Sequence, residues 1–229
     1  MINLLKAEIY KLFYDKQFKT VGVFIILYLL YSFLGIEKPV DFTFEGLLVS
    51  KTTDSVFMLF LIGIVGATVF TIDYSNRTYK NFLPYVRLKD VFIAKVFANL
   101  IGSFLLLFLW YFTTCILAIT LTKTFQTNLL IPLFLRFFAQ YLLILFHSSS
   151  IIIVGIITRN RAIASSFTII SWMLYTFIPI NDGYFYDIIV SGYEWKKPNI
   201  IWLDFFFIII YIAACFISKI IFERQEVRV

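Results

Sequence analysis

The chain has 229 residues, of which 61% are hydrophobic, 20% aromatic and only 15% charged, and its mean hydropathy is +0.88. Soluble domains average about 45–50% apolar and about 25% charged residues, and one this small has too much surface per unit volume to hide so much hydrocarbon from water. A compact soluble domain is therefore excluded. The net charge of +6 is informative through where the cations lie along a membrane chain, not as a sign of nucleic acid.

In chain order, residues 2–16 place Ile2, Leu5, Ile9, Leu12 and Phe13 near one helical face and Lys6, Glu8, Lys11 and Asp15 on the rest. That pattern predicts an amphipathic helix in the inner membrane interface, its basic groups toward anionic lipid. A spanning helix needs about 20 mostly apolar residues, and six stretches qualify: 18–36, 55–72, 93–121, 131–157, 162–180 and 200–222. The first starts late, after charged residues, and lacks a small-residue cleavage pattern, so it reads as a span and not as a signal peptide. Gly63, Gly66 and Ala67 in the second stretch, and Ala162 and Ser166 in the fifth, are expected to allow close helix approach.

Alternate connections differ in charge. One set holds Lys6, Lys11, Lys16, Lys19, Arg77, Lys80, Arg87, Lys89, Lys95, Arg159, Arg161, Lys219, Arg224 and Arg228. The opposite set holds Lys38, Lys51, Lys123, Lys196 and Lys197. This asymmetry puts the first set, and both termini, on the cytoplasmic side. The opposite side carries 181–199, an external connection dense in aromatics (Tyr184, Phe185, Tyr186, Tyr193, Trp195) that suits an interfacial belt. The predicted fold is an all-α integral membrane protein with about six transmembrane helices, N- and C-termini cytoplasmic, and an N-terminal amphipathic interfacial helix over 1–17. One transmembrane domain, 1–229, accounts for the chain.

Familiar catalytic chemistry is missing. There is no phosphate-binding G-x-x-x-x-G-K-[ST] loop, no dinucleotide fingerprint, no H-E-x-x-H and no G-x-S-x-G. His147 is the single histidine, and Cys115 and Cys215 both sit inside apolar runs. The expectation is no catalytic residue, no metal and no cofactor in this chain.

Two features remain. In the fourth stretch Arg136, Gln140, His147 and Ser150 fall at about 0°, 40°, 20° and −40° on a helix, one face over about 21 Å. Charged groups in hydrocarbon cost at least about 2.5–3.5 kcal/mol, so such a stripe faces protein or water. It is expected either to line a substrate path or dimer seam, or to bond neighbouring helices while Arg136 snorkels outward. The second feature is the basic inner connection between the second and third stretches, 73–95, which mixes charges with Tyr74, Tyr79, Phe82, Leu83, Tyr85 and Val86. Apolar and aromatic groups framed by charge suit docking onto another protein.

At these residues the sequence resembles permease subunits of ABC-2-type ABC transporters, in particular the bacterial branch serving peptide export and bacteriocin immunity. That pattern has an acidic residue closing span two, an aromatic, a Gly-Thr pair and a short helix before span three. Asp73, Tyr74, Thr78, Lys80 and Asn81 match it, Arg77 stands where glycine is usual, and Arg87, Ile93, Ala94 and Lys95 look like the return into span three. Glu8, Tyr10, Lys11 and Leu12 match the amphipathic opening. The resemblance implies a coupling segment over 73–92, with Asp73, Tyr74, Arg77, Thr78, Tyr79, Lys80, Phe82 and Leu83 meeting a cytoplasmic ABC ATPase dimer that binds ATP and Mg. It also implies a second permease chain, identical or homologous, membrane lipids as the other partner, no nucleic acid, and a place in the bacterial plasma membrane. The function so implied is export of amphipathic peptides or hydrophobic compounds, in self-protection or resistance. A non-transporting scaffold or sensor subunit and an intramembrane enzyme are the alternatives.

Overall fold

The computed structural model describes residues 2–34, 43–53, 55–75, 87–177, 179–180, 183–184 and 200–226. Its elements are α1 (Ile2–Tyr14), α2 (Lys16–Leu34), α3 (Phe44–Thr53), α4 (Ser55–Ser75), α5 (Leu88–Thr122), α6 (Leu130–Thr158), α7 (Arg161–Phe177) and α8 (Ile200–Glu226). Each stretch expected to span overlaps one of α2, α4, α5, α6, α7 and α8, although the fifth, 162–180, ends in strand and not in helix. Among the described residues four helices are long and apolar enough to cross a membrane: α2, α5, α6 with the turn before it, and Phe205–Arg224 of α8. The apolar stretch Leu61–Asp73 of α4 is shorter, and α7 has 17 residues. After α7, β1 (Pro179–Ile180) pairs antiparallel with β2 (Gly183–Tyr184), a departure from the expected all-helical chain. The rest of the expected external connection lies outside the described residues.

Local chemistry sets the helix ends. Asp15 separates α1 from α2 and caps α2, its Oδ1 accepting from the backbone N–H of Gln17 at 2.8 Å and Phe18 at 3.3 Å. Asn160 does the same for α7, accepting from Ala162 and Ile163. α5 and α6 stop at Lys123 and Arg159, which take left-handed φ values of 54° and 52°; their N–H groups close the last turns onto Ile119 and Gly155.

The surface is apolar and the interior partly polar, the reverse of a soluble protein. Leu34, Tyr31 and Ile131 are 85%, 78% and 73% exposed, whereas Lys95, Asn99 and His147 are at most 1% exposed. Only a hydrocarbon solvent makes that arrangement favourable.

α4 runs through the middle. A Cβ on Gly63 would lie 2.9 Å from Ile151 of α6, 3.1 Å from Thr168 of α7 and 3.2 Å from His147 Nε2, so α4 seats against both helices because glycine leaves the room. Gly66 and Ala67 are buried on the same side, as expected. In α7 the close contact falls elsewhere than expected. Ala162 and Ser166 are exposed, and the wholly buried Ala164 and Thr168 face the bundle, because α7 has small residues on several faces and its inward one starts two positions later. Gly63→Val should cost about 1–3 kcal/mol through overpacking, read as a lowered unfolding midpoint of the purified chain; an unchanged midpoint would contradict this packing.

The start of α2, the last turns of α4, α6 and α8 and the first turns of α5 and α7 gather at one end of the bundle. Phe92 of α5 touches Phe70 of α4 at 5.9 Å and Phe222 of α8 at 5.7 Å. α1 lies across this end, with Leu12 over Gly102 of α5.

Candidate functional site

At that end four charged side chains close a ring. Glu8 and Lys11 are one turn apart on α1, Asp73 is in the last turn of α4 and Lys95 is two turns into α5. Lys11 Nζ lies 2.6 Å from Glu8 Oε1 and 2.8 Å from Asp73 Oδ1. Lys95 Nζ lies 3.1 Å from Glu8 Oε2 and 2.6 Å from Asp73 Oδ2. Cations and anions alternate around the ring and cancel. Lys95 also donates to the Val69 carbonyl at 3.0 Å, so its ammonium has an acceptor for each of its three protons.

Burial makes the arrangement exacting. The side chains of Lys95, Glu8 and Asp73 are 1%, 4% and 5% exposed. Charges this deep are tolerated only when paired and hydrogen-bonded. The ring therefore resists piecemeal loosening, and it ties together both helices that flank residues 76–86. A displacement of that connection carries α1 with it or breaks a buried ion pair.

A second network borders the first. Arg161, opening α7, donates from Nη2 to Asp15 Oδ1 at 2.6 Å and from Nε to Gln17 Oε1 at 2.7 Å. Arg161 Nη2 also reaches Thr68 Oγ1 of α4 at 3.2 Å. The carboxylate that caps α2 thus also holds α7 and, through Arg161, α4.

Of the residues singled out in the sequence, Asp73 is central to the ring. Tyr74 lies in the last turn of α4, and Arg77, Thr78, Tyr79, Lys80, Phe82 and Leu83 lie outside the described residues. Two details of α1 differ from the amphipathic expectation: Glu8 is buried, and Lys11 turns inward to carboxylates and not outward to lipid. The cause is their pairing with Asp73 and Lys95, which a wheel of α1 alone does not contain. Arg136, Gln140 and His147 are buried within the chain and Ser150 is half-buried. Gln140 accepts from the Tyr111 hydroxyl of α5 at 2.7 Å, while Ser150 donates to the carbonyl of His147 on its own helix. Gln17, Thr68 and Asn99 were not anticipated; Asn99 follows Lys95 by one helical turn, the single local hint of its inward face. Among the described residues no three His, Cys, Asp or Glu side chains gather as metal ligands.

The family model described as ABC-2 family transporter protein matches residues 4–178, which contain every member of both networks. The chain belongs to this family. It is an ABC-2 type permease, a multi-pass membrane protein and a transport component. Membership implies partnership with an ABC ATPase subunit. Comparisons with curated proteins and with solved structures return no match for the permease.

Proposed function

We propose that this permease crosses the membrane six times with both ends in the cytoplasm, and that α1 is its interfacial helix. Residues 73–92 form the segment that docks on a separate cytoplasmic ATPase dimer, where ATP and Mg are bound. Two permease chains, identical or homologous, work together in a bacterial plasma membrane to export amphipathic peptides or hydrophobic compounds, giving self-protection or resistance. Asp73, Tyr74, Arg77, Thr78, Tyr79, Lys80, Phe82 and Leu83 carry the coupling contact. The polar stripe of Arg136, Gln140, His147 and Ser150 lines the substrate path or the dimer seam.

The observation that carries this reading is the ion ring. A connection that receives a push from a motor must be fixed at both ends to the parts it moves, and Asp73 and Lys95 fix α4 and α5 to α1 through Glu8 and Lys11. Gathering of the helix ends at one pole supports the topology, since alternating connections that share a pole also share the cationic residues. The substrate class and the direction of transport come from the sequence resemblance.

Co-purification tests the docking contact. The ATPase should be retained by the intact chain and lost when Tyr79, Phe82 and Leu83 are all changed to aspartate, because an apolar docking surface cannot bury three carboxylates. Equal retention by the triple variant would overturn the assignment. Growth of cells with and without the chain, challenged by a panel of membrane-active peptides, tests the export role.

A further inference from the structure

The face that α1 turns outward is not the one its periodicity predicts. Leu12 is 2% exposed, seated over Gly102, and Ile9 packs against the same core. Lys6, Tyr10, Phe13 and Tyr14, which span about 100° of the helix, are exposed instead. Both carboxylates of residues 2–34 turn away from this face. Glu8 is drawn into the ring, and Asp15 is held by two backbone N–H groups and by Arg161. Lys6, Lys16 and Lys19 are exposed, and none of them pairs with a carboxylate among the described residues. The outer surface of α1 and the first turn of α2 is therefore cationic and aromatic, with no anion to offset it.

α2 continues that surface. Lys16, Lys19, Val23, Leu27, Leu30 and Leu34 lie within about 80° of one another, and all are exposed. The helix thus carries a lysine pair at its start and a bare hydrocarbon track beyond it. From Lys19 to Leu30 the track measures about 17 Å, close to one leaflet of a hydrocarbon core about 30 Å thick. The Lys19 ammonium lies 5.1 Å over the Tyr14 ring, which itself stacks on Tyr10 at 4.1 Å. This cation–π contact fixes one lysine at the corner between α1 and α2.

We infer that this corner binds the headgroup of an anionic phospholipid, with an acyl chain laid along the α2 track. A free phosphate would meet the lysines but leave the apolar track uncovered. A zwitterionic lipid would cover the track but bring its own cation to the lysines. An anionic lipid satisfies both demands. Tyr10, Phe13 and Tyr14 suit the headgroup layer beside it, where amphipathic rings collect. The inference rests on the interfacial place of α1 proposed above and names the lipid partner of that helix.

The permease, purified in a nonionic detergent and titrated with dioleoyl phosphatidylglycerol or dioleoyl phosphatidylcholine, tests the site, with bound lipid counted by native mass spectrometry. Lys16→Gln with Lys19→Gln should weaken phosphatidylglycerol binding about 25-fold, at about fivefold for each lysine near a charged surface. Phosphatidylcholine should bind the intact chain more weakly by a similar factor. Lys16→Arg with Lys19→Arg keeps both charges and should keep binding, as should Lys89→Gln, which removes an exposed lysine of α5. Equal binding of the two lipids, undiminished binding by the glutamine pair, loss of binding by the arginine pair, or displacement of the lipid by inorganic phosphate would each overturn the site. A glutamine pair that shifts the monomer–dimer ratio and leaves lipid binding intact would assign the face to a second copy of the chain. Neither ATPase nor exported substrate enters this measurement, so its failure leaves the docking contact standing, and the aspartate variants test that contact separately.

Discussion

Lys95→Met should destabilise the folded permease by about 3–5 kcal/mol, the range for removing one partner from a buried ion pair. Methionine preserves most of the stem that packs between α1, α4 and α5, so the loss is electrostatic. Glu8 and Asp73 would each lose one of the two ring cations that hold them, and the Val69 carbonyl would lose its donor. The readout is the unfolding midpoint of the purified chain. Adding Glu8→Gln removes the carboxylate that Lys95 pairs with on α1 and should recover most of the loss. If the single and double variants are equally unstable, Lys95 matters for packing and not for charge.

The same double variant yields the second large effect. With Glu8→Gln and Lys95→Met the chain should fold and retain its ATPase, yet α1 and α5 would no longer share an ion pair. Coupling free energies between sites are typically 1–3 kcal/mol. On the proposed export function, protection of cells against membrane-active peptides should therefore fall by about 5–150-fold while ATP hydrolysis by the complex continues. Full protection by a stably folded double variant would show that the ring braces the structure without transmitting force.

Helix positions were legible in the sequence because a bilayer demands long apolar runs, and every such run became a helix. The face of α6 bearing Arg136, Gln140 and His147 was legible for a related reason, since hydrocarbon drives polar groups on a long helix to a common inward side. The ring was legible only in pieces. Asp73, Lys95, Glu8 and Lys11 each stood in a motif, but nothing local says that residues 8, 73 and 95 converge. Lys95 counts as an inner-side cation by sequence, yet it is the most deeply buried charge of the four. Periodicity in α1 put Glu8 on the polar face, since the pattern equates charge with water and has no means to represent a buried partner. The inward face of α7 was misplaced because Ser165, Ser166, Thr168 and Ser171 spread small polar residues around the helix and blunt the contrast that periodicity needs.

The side of the membrane on which the ring and residues 76–86 sit decides whether a nucleotide-driven partner can reach them. In a chain whose native cysteines are alanine, a single cysteine at position 82 should resist a membrane-impermeant maleimide in intact cells and react once the membrane is permeabilised. Labelling from outside intact cells would put the connection on the wrong face and contradict the account.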